Sequence, residues 1–463
     1  MTPYASTRGG APDTDFTGAM MGGLAADGGL YVPASWPRLP DLSALRGAPF
    51  GTVAGAVLGA LGASEAQCKT ARTAYGAFAH PALAPLVQLG PDDWLLELHH
   101  GPTLAFKDVA MQALGRLFAA ELAARGSRMS VVCATSGDTG GAAAAALAGQ
   151  PNLTLTILYP EGRISEVQRR FMTTTGAPNV QCLAVDGNFD DCQRIVKALF
   201  ADEGFRDEVA LTAVNSINWA RIAAQASYYV AASLALSAAG PVAFSVPTGN
   251  FGDAFAGIVA QRLGAPVGRI VVATNENDVL DRTMRTGAAR PRPVVATQSP
   301  SMDIQVASNF ERMIWEASRR DAALTADLMQ RQNRGEAYEL PEAVRTRIDT
   351  EIETHAVTGD ETREEMKRSF AETGSLLCPH TAIGRVGARR ARAAGLRGPI
   401  VTLATAHAAK FPDAVRAATG VTPPLPPRRT DLFAAEERIV PLAADTEAAA
   451  RAIRALAAHA LAV

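Results

Sequence analysis

A chain of 463 residues with 44 Lys and Arg against 46 Asp and Glu, 48% hydrophobic and 19% charged, can bury a large core and carries no net field that would draw nucleic acid or an anionic membrane. The five cysteines (Cys68, Cys133, Cys182, Cys192, Cys378) are scattered, odd in number and form no CxxC pair, which argues against a disulfide framework or structural metal and for a reduced, cytoplasmic setting. No apolar leader opens the chain and no apolar run reaches membrane-spanning length without a charge or breaker, so neither export nor insertion is expected.

In chain order, the first thirty-odd residues are glycine-rich and read as loops around one short strand near Leu30–Pro33, followed by helical patterns from Leu42 to Ala79. Trp94 to Leu98 reads as a strand. The turn His100-Gly101-Pro102 then leads into a helix over 108–125, stopped by Gly126. Strand and helix signals alternate after it: strands at 129–134, 153–158, 180–185 and 209–214, and helices at 139–147, 166–174 and 189–200. A long helix over 219–238 precedes strand 242–246, helix 254–262 and strand 270–274. Residues 282–301 read as irregular and 308–375 as mostly helical and charged. Strand 400–404 is followed by a stiff Pro423–Arg429 stretch and a last helix over 446–461. Such alternation predicts parallel α/β architecture with sites at the C-terminal ends of strands.

Lys107 stands at the start of its helix between Phe106 and an apolar face, where burial would favour a neutral, nucleophilic amine suited to Schiff-base chemistry; a surface lysine is the competing account. Ser136-Gly137-Asp138-Thr139 lies between strand and helix, where free amides and hydroxyls meet a carboxylate or phosphate, or where an ordinary helix cap sits. Gly249-Asn250-Phe251-Gly252-Asp253 has the same placement, and its two glycines suit a nest of N–H groups around phosphate as well as a plain turn. Thr405 ends a strand with a neutral hydroxyl that suits a pyridine nitrogen, or merely terminates the strand. An amine and two anion-type loops in one chain point to a covalently bound, phosphate-bearing aldehyde cofactor.

The segments HGPTLAFKD (100–108), SGDTGG (136–141), NSINWARI (215–222), GNFGD (249–253), SPSMDIQVASNFER (299–312) and LATAHAAKF (403–411) resemble threonine synthase. The N-terminal Ser6-Thr7-Arg8-Gly9 and the stretch 23–33 are similar to the longer microbial and fungal branch of that family. The resemblance implies a fold-type II pyridoxal 5'-phosphate enzyme, tryptophan synthase β-like, with two open parallel or mixed α/β domains. The expected division is an N-terminal unit over 1–90, a first α/β domain over 91–215, a second over 216–422, and a linker with C-terminal helix over 423–463. The implied reaction converts the small-molecule substrate O-phospho-L-homoserine and water to L-threonine and phosphate in a monomer or small homo-oligomer. The competing outcomes are a phospho-lyase releasing 2-oxobutyrate and a noncatalytic metabolite-binding relative.

By the same resemblance Lys107 would bind the cofactor and shuttle protons, while Gly249, Asn250, Phe251, Gly252 and Asp253 hold its phosphate and Thr405 faces its ring nitrogen. Ser136, Gly137, Asp138 and Thr139 would receive the substrate carboxylate. Asn215, Ser216, Asn218 and Arg221 would lie on the substrate side, with Arg221 either on the substrate phosphate or in a buried ion pair. One departure is Ala408, where the family pattern has proline; it alters a turn and removes no functional group.

Overall fold

The computed structural model describes residues 2–459, and the chain sorts into two units. The first comprises Met1–Thr73, His80–His100 and Ser216–Pro423; the second comprises Ala74–Ala79, Gly101–Asn215 and Pro424–Val463.

In the first unit, mostly apolar strands and one polar edge strand form a six-stranded sheet in the order Ile352–Ala356, Val267–Thr274, Val242–Pro247, Ile400–Ala404, Asp93–Glu97, Leu86–Gly90. Every neighbouring pair is parallel except the last, which is a hairpin. Helix Pro379–Ala393 comes close to the sheet because Gly384 has no side chain. A Cβ there would lie 3.0 Å from both Pro247 Cδ and Thr402 Cγ2. Strands Val242–Pro247 and Ile400–Ala404 pair in parallel, so the 248–253 loop and Thr405 leave the same edge of this sheet.

The N-terminal residues are built into this unit. Tyr4–Ser6 pairs antiparallel with Tyr31–Pro33, and helix Phe16–Gly22 is capped by Asp15. Loops alone were expected over much of this stretch; burial of Tyr4, Phe16, Ala19 and Met20 holds it in place instead. The Tyr4 hydroxyl donates to Leu61 O at 2.6 Å and accepts from Trp219 Nε1 at 2.8 Å. Thr7 donates to Glu311 at 2.5 Å, and Arg8 grips the same carboxylate with two bonds of 3.0 and 2.9 Å.

Two further stretches differ from expectation. Residues 279–286 are helical and end at left-handed Gly287, where irregular chain was expected from 282. Ile352–Ala356, inside the stretch expected to be helical, is a strand, because its backbone completes the edge of the sheet beside Val267–Thr274.

The second unit holds a five-stranded, wholly parallel sheet in the order Val440–Ala443, Val180–Asp186, Leu153–Pro160, Met129–Ala134, Leu211–Thr212. The strand expected over 209–214 is thus reduced to Leu211–Thr212, since helix Glu203–Glu208 precedes it. Helices Lys107–Arg125 and Asp138–Leu147 approach through Gly115, whose Cβ would lie 2.7 Å from Ala146 O. Helix Thr446–His459 buries Ala449, Ala450 and Ile453 with Cys192, Ile195 and Leu199; the expected end of this helix, Leu461, lies outside the described residues. Among the described residues no helix is long and apolar enough to cross a membrane.

Candidate active site

Lys107 is the first residue of its helix, and its placement is made by the six residues before it. The Asp108 carboxylate, fully buried, accepts from Thr103 N at 2.8 Å and Thr103 Oγ1 at 2.6 Å, closing the 103–108 loop. Leu104 takes a left-handed conformation (φ +60°) inside that loop. Gly101 leaves room for it, since a Cβ there would be 2.4 Å from Asp108 Cβ. The Lys107 side chain, 12% exposed, brings Nζ to 3.6 Å from Asp138 Oδ2 and 4.7 Å from the centre of the Phe106 ring.

Asp138 opens the helix after strand Met129–Ala134 and is itself buried. Thr135 Oγ1 accepts from Gly137 N at 2.9 Å and Gly140 N at 3.0 Å, folding the loop back on itself. The backbone amides of Ser136 and Thr139 are left without an acceptor among the described residues, at a helix N-terminus where an anion is welcome. Gly137 stands at φ +126°, which only glycine adopts readily.

In the first unit the 248–253 loop is a second such arrangement. Thr248 Oγ1 accepts from Phe251 N at 3.1 Å, and Phe251, left-handed at φ +62°, packs edge-on to Phe310 with centroids 5.2 Å apart. The amides of Gly249, Asn250 and Gly252 find no acceptor among the described residues. A side chain would collide at Gly249 and be tight at Gly252. A Cβ on Gly249 would lie 2.9 Å from Ile304 Cγ1 and 3.0 Å from Met302 Cα, and one on Gly252 would lie 3.1 Å from Asn309 Nδ2. The loop therefore offers bare backbone donors at the start of helix Gly252–Arg262, the arrangement that binds phosphate.

The Asp253 side chain is turned to Tyr228 and Tyr229, which both donate to its Oδ1, Tyr229 at 2.9 Å. Burial, reinforced by the Asp253 charge, raises both phenols well above their ordinary pKa and keeps them donors. Thr405 is 4% exposed, and its hydroxyl makes no hydrogen bond with any described residue. Ala408 sits in a short helical turn whose Ala409 amide is capped by His407 Nδ1 at 3.1 Å.

Of the remaining candidates, Asn215 is exposed and ends its part of the second unit. In the first unit, Ser216 Oγ accepts from Asn250 Nδ2. The Asn218 side chain caps helix Trp219–Leu236 through Ala220 N at 3.0 Å and donates to Met20 O at 2.8 Å. Arg221 is buried on that helix, and its charge bears on Tyr228.

Several supporting residues were not picked out from the sequence. Ser308 N donates to Asn250 Oδ1 at 2.8 Å, and Asn309 Nδ2 reaches Ser216 O at 3.3 Å. Arg312, fully buried, donates to Tyr31 O at 3.1 Å, to Ile217 O at 2.7 Å and to Asn309 Oδ1; burial pulls its guanidinium down to about 9. Within the second unit Gln168 Nε2 donates to Asp138 Oδ1 at 3.0 Å. The SPSMDIQVASNFER segment held the signal for Asn309 and Arg312, but polar residues without reactive groups suggested no role.

The second unit thus offers an amine beside an anion-receiving loop, and the first offers a loop of bare amides and a hydroxyl at a strand end; these are the kinds of group that take an aldehyde, a phosphate and a ring nitrogen. Comparison with known proteins agrees. Residues 80–334 match the family described as pyridoxal-phosphate dependent enzyme, residues 3–68 the threonine synthase N terminus and residues 381–453 the threonine synthase C-terminal region. A threonine synthase of Pseudomonas aeruginosa is 46% identical over 444 residues, covering 94% of each chain. The structure of a PLP-bound threonine synthase from Brucella melitensis is similar at a TM-score of 0.94 with 47% identity, covering 99% of this chain and 100% of that one. The yeast enzyme follows at 0.90 and 35%, covering 99% of each. This chain belongs to the threonine synthase family of pyridoxal-phosphate-dependent enzymes.

Proposed function

We propose that this chain converts O-phospho-L-homoserine and water to L-threonine and inorganic phosphate, with Lys107 as its covalent and proton-carrying residue. The observation that carries the proposal lies within the second unit, where a nearly buried amine stands 3.6 Å from Asp138 in a strand-end loop whose Ser136 and Thr139 amides await an acceptor. An α-amino acid substrate needs both features, a group to exchange with its nitrogen and donors for its carboxylate.

Bound pyridoxal phosphate supplies an electron sink for negative charge developing next to the substrate nitrogen. Lys107 would hold the cofactor through its aldehyde carbon, and its amine would carry protons at the substrate Cα and Cβ. Gly249, Asn250, Gly252 and Asp253 would present main-chain N–H groups to the cofactor phosphate, and Phe251, whose N–H is given to Thr248 Oγ1, sets the bend of the loop between them. The Asp253 carboxylate, engaged by Tyr228 and Tyr229, fixes the helix start rather than adding charge to the cradle. The Thr405 hydroxyl bonds the ring nitrogen without forcing a proton onto it. Ser136, Gly137, Asp138 and Thr139 orient the substrate carboxylate. Asn215 and Ser216 contact substrate, and Asn218 and Arg221 support them from the start of the Trp219 helix.

The test is product identification: purified protein with pyridoxal phosphate and O-phospho-L-homoserine should yield threonine and phosphate in equal amounts. Mainly 2-oxobutyrate would make it a phospho-lyase, and a protein left colourless by added cofactor would overturn both assignments. Lys107→Ala should lose the borohydride-sensitive absorbance together with turnover.

A further inference from the structure

We propose that Gln168 is a positioning residue for Lys107: it holds one oxygen of the Asp138 carboxylate so that the other is presented to the lysine nitrogen. Gln168 is 2% exposed and occupies the third position of helix Glu166–Thr173. Its two ends are sorted by what they meet. Oε1 accepts from Ser165 N at 3.4 Å and Ser165 Oγ at 3.2 Å in a capping box, which leaves Nε2 to donate to Asp138 Oδ1 at 3.0 Å. Asp138 Oδ2 then faces Lys107 Nζ at 3.6 Å. Gly137 lets Gln168 cross the loop, since a Cβ there would lie 2.7 Å from Gln168 Cδ.

The arrangement answers a difficulty inside the SGDTGG motif. An acidic side chain at a helix N-terminus is drawn toward the free amides of its own first turn, and a carboxylate that turned inward would occupy the donors that the substrate carboxylate needs. Holding Asp138 by Oδ1 keeps it off those amides and spends its charge beside the lysine. Other charged groups on the helices packed here are engaged elsewhere: Asp108 by Thr103, Arg169 by Glu437, and Arg170 by Glu166. Gln168 thus separates two negative groups, one of the protein and one of the substrate, around a single nitrogen.

The inference rests on Lys107 as the cofactor lysine, and the experiment separates the two. With the cofactor-loaded enzyme, the pH midpoint of the bound-cofactor absorbance change is read for wild type, Gln168→Leu, Asp138→Asn and the double variant. A carboxylate near the linked nitrogen stabilises its protonated form, so both single variants should lower the midpoint, by about one unit for Asp138→Asn and less for Gln168→Leu. The double variant should match Asp138→Asn. An unchanged midpoint in Gln168→Leu, or shifts that add in the double variant, would overturn the role of Gln168. Absorbance that persists in Lys107→Ala would instead overturn the assignment of the lysine. Should Gln168→Leu fail to fold, Gln168→Glu keeps the length and the Ser165 bonds at one oxygen but replaces the Nε2 donor to Asp138, and the midpoint should again move from its wild-type value; no shift there overturns the proposal.

Discussion

The residues around Lys107 show how little of a catalytic motif is chemistry and how much is placement. Asp108, next in sequence, ties down Thr103 so that the helix starts where the lysine needs it. Asp108→Ala should strip both bonds from Thr103 and cost about 3 kcal/mol locally, seen as faster hydrogen exchange in the first turns of the Lys107 helix. At the phosphate loop the limiting factor is space. Gly249→Val places side-chain atoms against the Met302 backbone and Ile304, and Gly252→Val against Asn309, so both should weaken cofactor affinity by at least about tenfold, measured by equilibrium dialysis. Wild-type affinity in Gly252→Val would remove the loop from the cofactor site.

At the scale of elements, helix Gly252–Arg262 starts under two constraints, the left-handed Phe251 before it and the Asp253 carboxylate held by two tyrosines. Removing one hydroxyl leaves a buried carboxylate short of a donor. Tyr228→Phe should therefore lower the stability of the first unit by about 1–3 kcal/mol. All four tryptophans (Trp36, Trp94, Trp219, Trp315) belong to this unit, so urea unfolding followed by tryptophan fluorescence reads it directly. The elements that sequence patterns announced were those whose own residues suffice to define them. Strands 129–134 and 400–404 are apolar runs broken only by Ser130 and Thr402, and Gly126 stops the Lys107 helix in a left-handed cap. Strand Ile352–Ala356 carries Glu353 and His355, and only the neighbouring Val267–Thr274 makes it a strand. Val440–Ala443 is likewise defined by its partner, Val180–Asp186.

The candidate site divides the same way. Lys107, the two glycine loops and Thr405 were legible because each joins a reactive or bare group to a strand–loop–helix boundary. Gln168, Tyr228, Asn309 and Arg312 were not, because their worth lies in partners 30, 25, 93 and 95 residues away.

For the whole molecule, acid should be the weakness. His99 and His407 meet edge to face at 5.2 Å, with His100 and Glu97 beside them. Burial first, and the neighbouring imidazoles second, hold His99 down at about 3 and His407 at about 4. Both lie below the ordinary value, so as pH falls under about 6.5 the unfolded chain takes up protons that the fold refuses. Stability should then decline by about 1.4 kcal/mol per pH unit for each such histidine until its folded-state value is reached, and be regained on raising the pH. His407→Gln should flatten part of that slope between pH 6.5 and 4, as seen in urea midpoints by tryptophan fluorescence; an unchanged slope would clear His407 of the effect.

The grip of Thr7 and Arg8 on Glu311 spans 304 and 303 residues. On a ribosome the strand that is made first must wait for most of the protein before its acidic partner emerges, and Trp219, the partner of Tyr4, also comes long after it. The first unit is therefore closed late by its earliest-synthesised segment, whereas residues 101–215 of the second unit are available as one continuous stretch well before. A nascent chain halted before residue 311 should leave its first ten residues open to protease, and one extended beyond 423 should protect them.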